Sequence, residues 1–145
     1  MFATGALRQI KDEYVEKGSV RFGYWNYAIL GDESQWAAQA SECAADQGKF
    51  WEYHDIIYQN QNGENQGYFT NARMIGFAKD LGLNTDQFGT CLSSEKYKQK
   101  VQDDLDYGKS KNIDRTPSFL VNGRLVYADT VEAVIETAVN TAANK

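Results

Sequence analysis

The sequence predicts an α/β arrangement in which a helical block is inserted ahead of a C-terminal β-hairpin. Three observations carry this. Ser118-Phe119-Leu120-Val121 and Arg124-Leu125-Val126-Tyr127 are short apolar runs separated by Asn122-Gly123, and both turn residues tolerate the positive φ of a two-residue hairpin. Between Trp36 and Gly108 the apolar residues recur at helical spacing, the pattern of one buried helix face after another. Near the start, Leu7, Ile10, Tyr14 and Val15 make a helical stripe closed by Gly18, and Val20 to Trp25 follow as a β-branched and aromatic run, which reads as helix, C-cap and strand.

The elements follow in order. Trp36, Ala40, Cys43, Ala44, Phe50, Trp51, His54, Ile57 and Tyr58 hold one apolar helical face, with a break or bend expected at Gly48. Gln59 to Gly67 is polar and rich in Asn, Gln and Gly, a loop composition. Thr70 or Asn71 can cap a helix carrying Ile75, Ala78 and Leu81 and ended by Gly82. Asn84 can cap a short helix bearing Phe88, Cys91 and Leu92, and Ser93 or Ser94 can open a longer one along Tyr97, Val101, Leu105 and Gly108. After the hairpin, Asp129 and Glu132 have capping-box spacing. The last helix would bury Val131, Val134, Ile135, Ala138 and Val139.

Composition narrows the functional classes. The 145 residues are a single domain by length, 42% apolar and 13% aromatic, hence globular rather than disordered. A net charge of −5 without a basic stripe argues against nucleic acid or an anionic membrane surface as partner. The apolar runs are far too short to span a bilayer, and the N-terminus turns charged at once without the apolar core of a signal peptide. No internal repeat or linker divides the chain.

The reactive side chains are few. Cys43 and Cys91 form no CxxC, and with His54, the single histidine, they do not make a zinc site. The two cysteines are either a structural disulfide or two buried thiols, because separation along the chain says nothing of distance in space. His54, three residues after Trp51 on a helix, reads as a packed histidine. The Trp36, Phe50, Trp51 and Tyr58 stripe reads as core, and Asp103, Asp104 and Asp106 as a solvated helix face rather than a calcium site. Pro117, the only proline, stands where a strand begins and a lost ladder donor costs little.

Beyond these readings lies a family resemblance. Asp114-Arg115-Thr116-Pro117-Ser118-Phe119-Leu120-Val121-Asn122-Gly123 resembles the cis-proline hairpin of DsbA-like thiol–disulfide oxidoreductases. Ser34, Ala37-Ala38 and the run Glu42-Cys43-Ala44-Ala45-Asp46-Gln47-Gly48-Lys49-Phe50-Trp51-Glu52-Tyr53-His54 resemble that family's first inserted helix. Ala78-Lys79-Asp80-Leu81-Gly82-Leu83, Phe88, Cys91-Leu92, Tyr97 and Val101 are similar to its later helices. The resemblance implies a thioredoxin-like fold with an inserted all-helical domain. Residues 1–30 would be a partial thioredoxin-fold half, 31–112 the helical insertion, and 113–145 the hairpin and last helix.

The same resemblance implies dithiol oxidation or disulfide exchange on protein or peptide partners, without a cofactor, in the cell envelope: periplasmic or secreted. Arg115, Thr116 and Pro117 would form the substrate-binding loop. Family members carry CxxC at the start of the first helix, after a central first strand. Here the helix is read from residue 1, so both the strand and the dithiol are expected to be absent. The expectation is therefore an N-terminally truncated and inactive domain with no catalytic residue of its own, since exchange needs an attacking thiolate. The alternatives are a non-catalytic peptide-binding module and a homodimer that exchanges strands. Two positions depart from the family. Arg115 stands where glycine is common, as a surface charge or as a cation that favours a neighbouring thiolate. Ala28 stands where many relatives have proline.

Overall fold

The computed structural model describes residues 5–144. Residues 1–4, where the sequence reading begins its first helix, and Lys145 lie outside the described residues. Contacts cluster into two compact units, one reaching to Tyr24 and resuming at Lys111, the other spanning Trp25–Ser110.

The first unit holds α1 (Ala6–Ile10), a π-helical turn (Lys11–Val15), the strands β1 (Ser118–Val121) and β2 (Arg124–Tyr127), and α7 (Val131–Ala143). β1 and β2 pair antiparallel, with Ser118 opposite Tyr127 and Val121 opposite Arg124. Asn122 and Gly123 turn between them at φ 50° and 84°, the pair of positive dihedrals that matches strand twist in a two-residue hairpin. Ile10, Val126, Val131 and Ile135 form the core of this unit, covered by Tyr14, Val20, Phe119, Val121, Val134 and Val139.

Two expectations change here. Val20 to Trp25 carries no regular structure, and β1 with β2 is the only ladder among the described residues. β-branched and aromatic residues favour extended backbone, but a strand exists only with a hydrogen-bonded neighbour. The capping box at Asp129 and Glu132 does not form. Thr130 precedes α7, its hydroxyl donating back to the Tyr127 carbonyl, while Glu132 accepts from the Gln9 side chain at 2.9 Å.

The second unit is helical: α2 (Asp32–Ala45), α3 (Phe50–Gln59), α4 (Asn71–Asp80), α5 (Thr85–Ser93) and α6 (Lys98–Ser110). Gly48 sits at φ 71° and makes the break between α2 and α3. Thr70 and Asn84 cap α4 and α5, accepting from the amides of Arg73 and Gln87. Ser93 and Ser94 do not open α6. Their hydroxyls donate back to the carbonyls of Thr90 and Cys91, which closes α5 instead, and Glu95 at φ 51° turns the chain before α6.

The core of the helical unit is Tyr53, Met74, Phe77, Phe88, Leu92 and their neighbours from α2 to α5. Tyr53 is fully enclosed, its hydroxyl donating to the Met74 carbonyl at 2.9 Å, and burial pushes its pKa well above the usual tyrosine value. Trp36 departs from the expected aromatic core: it is 41% exposed. Residues 25–30 belong with this unit, since Asn26 is buried and Ala28 packs with Ala38 and Val101.

Candidate functional site

Pro117 enters β1 directly, where its missing N–H takes nothing from the ladder. The Thr116–Pro117 peptide is cis. Arg115, Thr116 and Pro117 are all exposed, and three contacts fix the approach to them. The Ser118 hydroxyl donates to the Arg115 carbonyl. The Arg115 guanidinium lies 3.6 Å above the ring of Tyr127, which faces Ser118 across the hairpin. The Tyr127 hydroxyl donates to Asp114 Oδ1 at 3.4 Å. Arg115 is thus held by a cation–π contact on the Tyr127 ring. The result is an exposed, braced segment that leads straight into a strand.

The cysteines meet in the other unit. Cys43 of α2 and Cys91 of α5 are joined in a disulfide, S–S 2.03 Å and Cα–Cα 5.9 Å. They are 1% and 8% exposed, so a thiolate from outside has little access to either sulfur. Asp46 lies one turn beyond Cys43 with Oδ2 3.9 Å from Cys91 Sγ, a contact and not a hydrogen bond, since the bonded sulfur carries no proton. Lys96 donates to Asp46 Oδ2 at 2.7 Å, and the Tyr97 hydroxyl donates to Oδ1. Those two donors, Lys96 first, hold the Asp46 carboxyl below its ordinary range, and the same hydrogen bonds raise Lys96 and Tyr97.

Sequence reasoning missed a second polar network. Asn26 donates to Glu42 Oε1 at 2.8 Å and, from its backbone amide, to Asp104 Oδ2 at 3.1 Å. Lys100 reaches both carboxylates, at 3.0 and 2.9 Å. Burial works to lower the Lys100 pKa and is outweighed by the hydrogen bonds to Asp104 and Glu42, so the value is raised. Asp104 is therefore no part of a solvated face. The signal was present: Val101, Asp104, Leu105 and Gly108 fall on one helical stripe.

His54 is packed, as its helical setting suggested. It is 3% exposed, its ring lies 4.6 Å from that of Tyr58, and Nδ1 is 2.9 Å from Asp55 Oδ1. Among the described residues no group of His, Cys, Asp and Glu could hold a metal ion, and no helix is long and apolar enough to cross a membrane.

One expectation is overturned. The reading of a truncated, inactive chain rested on the missing CxxC and first strand; against it stands the disulfide that the chain does hold, Cys43–Cys91. Neither truncation nor inactivity follows from the cysteines of this chain.

A protein-family model described as thioredoxin matches residues 1–140. A probable disulfide bond formation protein D of Bacillus anthracis is 32% identical over 127 residues, 85% of this chain and 58% of that protein. A Na(+)/H(+) antiporter NhaA 1 of Salinispora arenicola is 32% identical over 125 residues, 84% of this chain but 18% of the antiporter. The chain thus spans under two thirds of these relatives. The crystal structure of oxidised BdbD from Bacillus subtilis superposes with a TM-score of 0.84 at 25% identity, covering 96% of this chain and 79% of that one. The fold is thioredoxin-like with a helical insertion.

Proposed function

Because the chain belongs to the thioredoxin family, we propose that it serves as a thiol–disulfide oxidoreductase acting on protein thiols and disulfides in the cell envelope. Its contact with the substrate polypeptide is the segment Arg115-Thr116-Pro117. The carrying observation is that this exposed segment is braced by Ser118 and Tyr127 and runs without a break into β1. An extended polypeptide can align with such an entry by strand addition, in which main-chain hydrogen bonds give affinity. The likeness to disulfide bond formation protein D supports the chemistry.

The burial of Cys43 and Cys91 favours a division of labour. Exchange through that pair requires α2 and α5 to part before a thiolate can attack, whereas docking at the β1 entry requires no such opening. A second reading, polypeptide binding without exchange at Cys43–Cys91, draws on the same burial.

Two measurements on the full chain test this. Fluorescence anisotropy with a labelled, unfolded cysteine-containing peptide should show saturable binding, weakened about tenfold by Arg115→Glu, the loss of roughly one good contact. Equal affinity in the variant would overturn the docking assignment. Oxidation of a reduced dithiol peptide, followed for the wild type and for Cys43→Ser/Cys91→Ser, then identifies the couple. Activity lost in the variant places exchange at this pair, and binding without turnover in either form supports the second reading.

A further inference from the structure

Asparagine followed by glycine occurs twice in the chain, at Asn62-Gly63 and at Asn122-Gly123. This dipeptide carries a reaction of its own. The glycine amide nitrogen can close on the asparagine side-chain carbonyl carbon, and no Cβ on the glycine hinders the approach. The fold sets the two copies in opposite circumstances.

Asn122 and Gly123 are the turn residues between β1 and β2, at φ 50° and 84°. The left-handed backbone at Asn122 goes with a ψ of about +47°. That angle turns the Gly123 nitrogen anti to the Asn122 Cβ, as far as it can stand from the side-chain carbonyl carbon. The pairing of Val121 with Arg124 closes the turn from both sides. Ring closure there requires the turn to open first, and local opening costs free energy.

Asn62 and Gly63 lie in the loop after α3, and both are exposed. Asn62 is not among the left-handed residues, and Gly63 sits at φ 88°. The ties of this loop stand on either side of the dipeptide. The Asn60 amide donates to the carbonyls of Ile56 and Ile57 at 3.1 and 3.2 Å. Beyond it, Asn65 Oδ1 accepts from the Glu33 amide at 3.4 Å, and the Phe69 amide donates to Glu33 Oε1 at 2.7 Å. Among the described residues no backbone carbonyl accepts from the Gly63 amide. The nitrogen that must attack is therefore not held by the main chain, and water reaches both residues.

We propose that Asn62-Gly63 is a site of spontaneous deamidation and isoaspartate formation, and that the hairpin protects Asn122-Gly123 from the same reaction. The Gly63 nitrogen forms a bond to Asn62 Cγ, and the side-chain nitrogen leaves as ammonia, carrying off the amide proton. The cyclic imide then takes up one water. Opening at the main-chain carbonyl gives isoaspartate, and opening at the side-chain carbonyl gives aspartate. Nothing is oxidised or reduced, and water is the only co-reactant. Either product makes the chain one unit more negative than its formal −5, and isoaspartate also lengthens the main chain by one carbon. The anchors at Asn60, Asn65 and Phe69 lie outside the dipeptide, so the helical unit keeps its fold in the modified form. The site is independent of the reading given for Arg115-Thr116-Pro117.

The test ages the folded full chain at physiological pH and temperature and maps its peptides by mass spectrometry. The peptide bearing Asn62 should gain the mass of an amide exchanged for an acid, and an isoaspartyl carboxyl methyltransferase should label it. Its conversion should run at least about tenfold faster than that of Asn122, the equivalent of about 1.4 kcal/mol of turn opening. In urea the two sites should convert at similar rates, because the protection belongs to the fold. Asn62→Gln, whose side chain must close a larger ring, should lose the acidic species while keeping the circular dichroism spectrum. The proposal fails if Asn62 stays intact over the time in which a free Gln-Asn-Gly-Glu peptide is half converted. It also fails if Asn122 converts as fast as Asn62 in the folded chain, or if Asn122 stays slower in urea.

Discussion

Asp46 shows how one side chain can tie separate elements together. It follows α2, yet its two oxygens receive Lys96 and Tyr97 from beyond α5. Its folded pKa is lowered, chiefly by the Lys96 hydrogen bond and then by Tyr97. The sign follows from linkage: the contribution is complete above the ordinary value of 3.8 and is lost as pH falls through the lowered folded value. Lys96 runs the other way. Its raised pKa makes a contribution that is complete below 10.5 and fades as pH rises through the folded value. The Asp46 side chain is 35% exposed, so solvent screens the pair. Asp46→Asn is expected to cost about 0.5–1 kcal/mol at neutral pH, and urea melts should show that difference closing as the pH is taken below the carboxylate range.

Asp104 belongs to the same scale and teaches a different lesson. Read by composition, it joins Asp103 and Asp106 as a charged surface. Read by period, it sits on the Val101–Leu105–Gly108 stripe, and the structure places it against Asn26 and Lys100. Periodicity carried that information, but the identity of its partners, 78 positions distant for Asn26, lay outside any local pattern.

At the scale of elements, α6 packs through a glycine. A Cβ built on Gly108 would stand 2.7 Å from ring carbons of Tyr27, a separation that neither the helix nor the ring can keep. Gly108→Ala would gain helix propensity on an exposed surface, yet here overpacking dominates. The expected result is a net loss of about 1–3 kcal/mol, measured by thermal or urea unfolding. A variant as stable as the wild type would show that Tyr27 can swing aside without cost.

The hairpin and the helix ends divide along similar lines. Asn122-Gly123 was legible because its turn type is chosen by two adjacent residues. Thr70 and Asn84 were legible as caps because each acts within three residues. Ser93 and Ser94 misled because a hydroxyl that can open one helix can equally close the one before it. Asp129 misled because the chain reached Thr130 before turning helical.

At the scale of the whole molecule, the Cys43–Cys91 link closes a sequence separation of 48 residues between α2 and α5. On the chain-entropy account such a loop is worth about 3–4 kcal/mol. Reduction, or Cys43→Ala with Cys91→Ala, should lower the unfolding free energy by that amount. Hydrogen exchange should locate the loss: amides of α2 and α5 exchange faster, while those of β1 and β2, in the other compact unit, change little. Uniform acceleration over both units would contradict that localisation.

What the sequence by itself determined was whatever is encoded within a few residues: helix periods, the Gly48 break, two N-caps, the Asn-Gly turn and the strand entry at Pro117. The resemblance carried by the Glu42–His54 and Thr116–Gly123 runs added the family. Only the tertiary structure decided that Val20–Trp25 finds no strand partner among the described residues, that Cys43 and Cys91 are bonded, and that Gln39 keeps a buried oxygen without a donor. The physical reason is common to all three. Each depends on which atoms from distant positions come within bonding distance, and separation along the chain does not set distance in space.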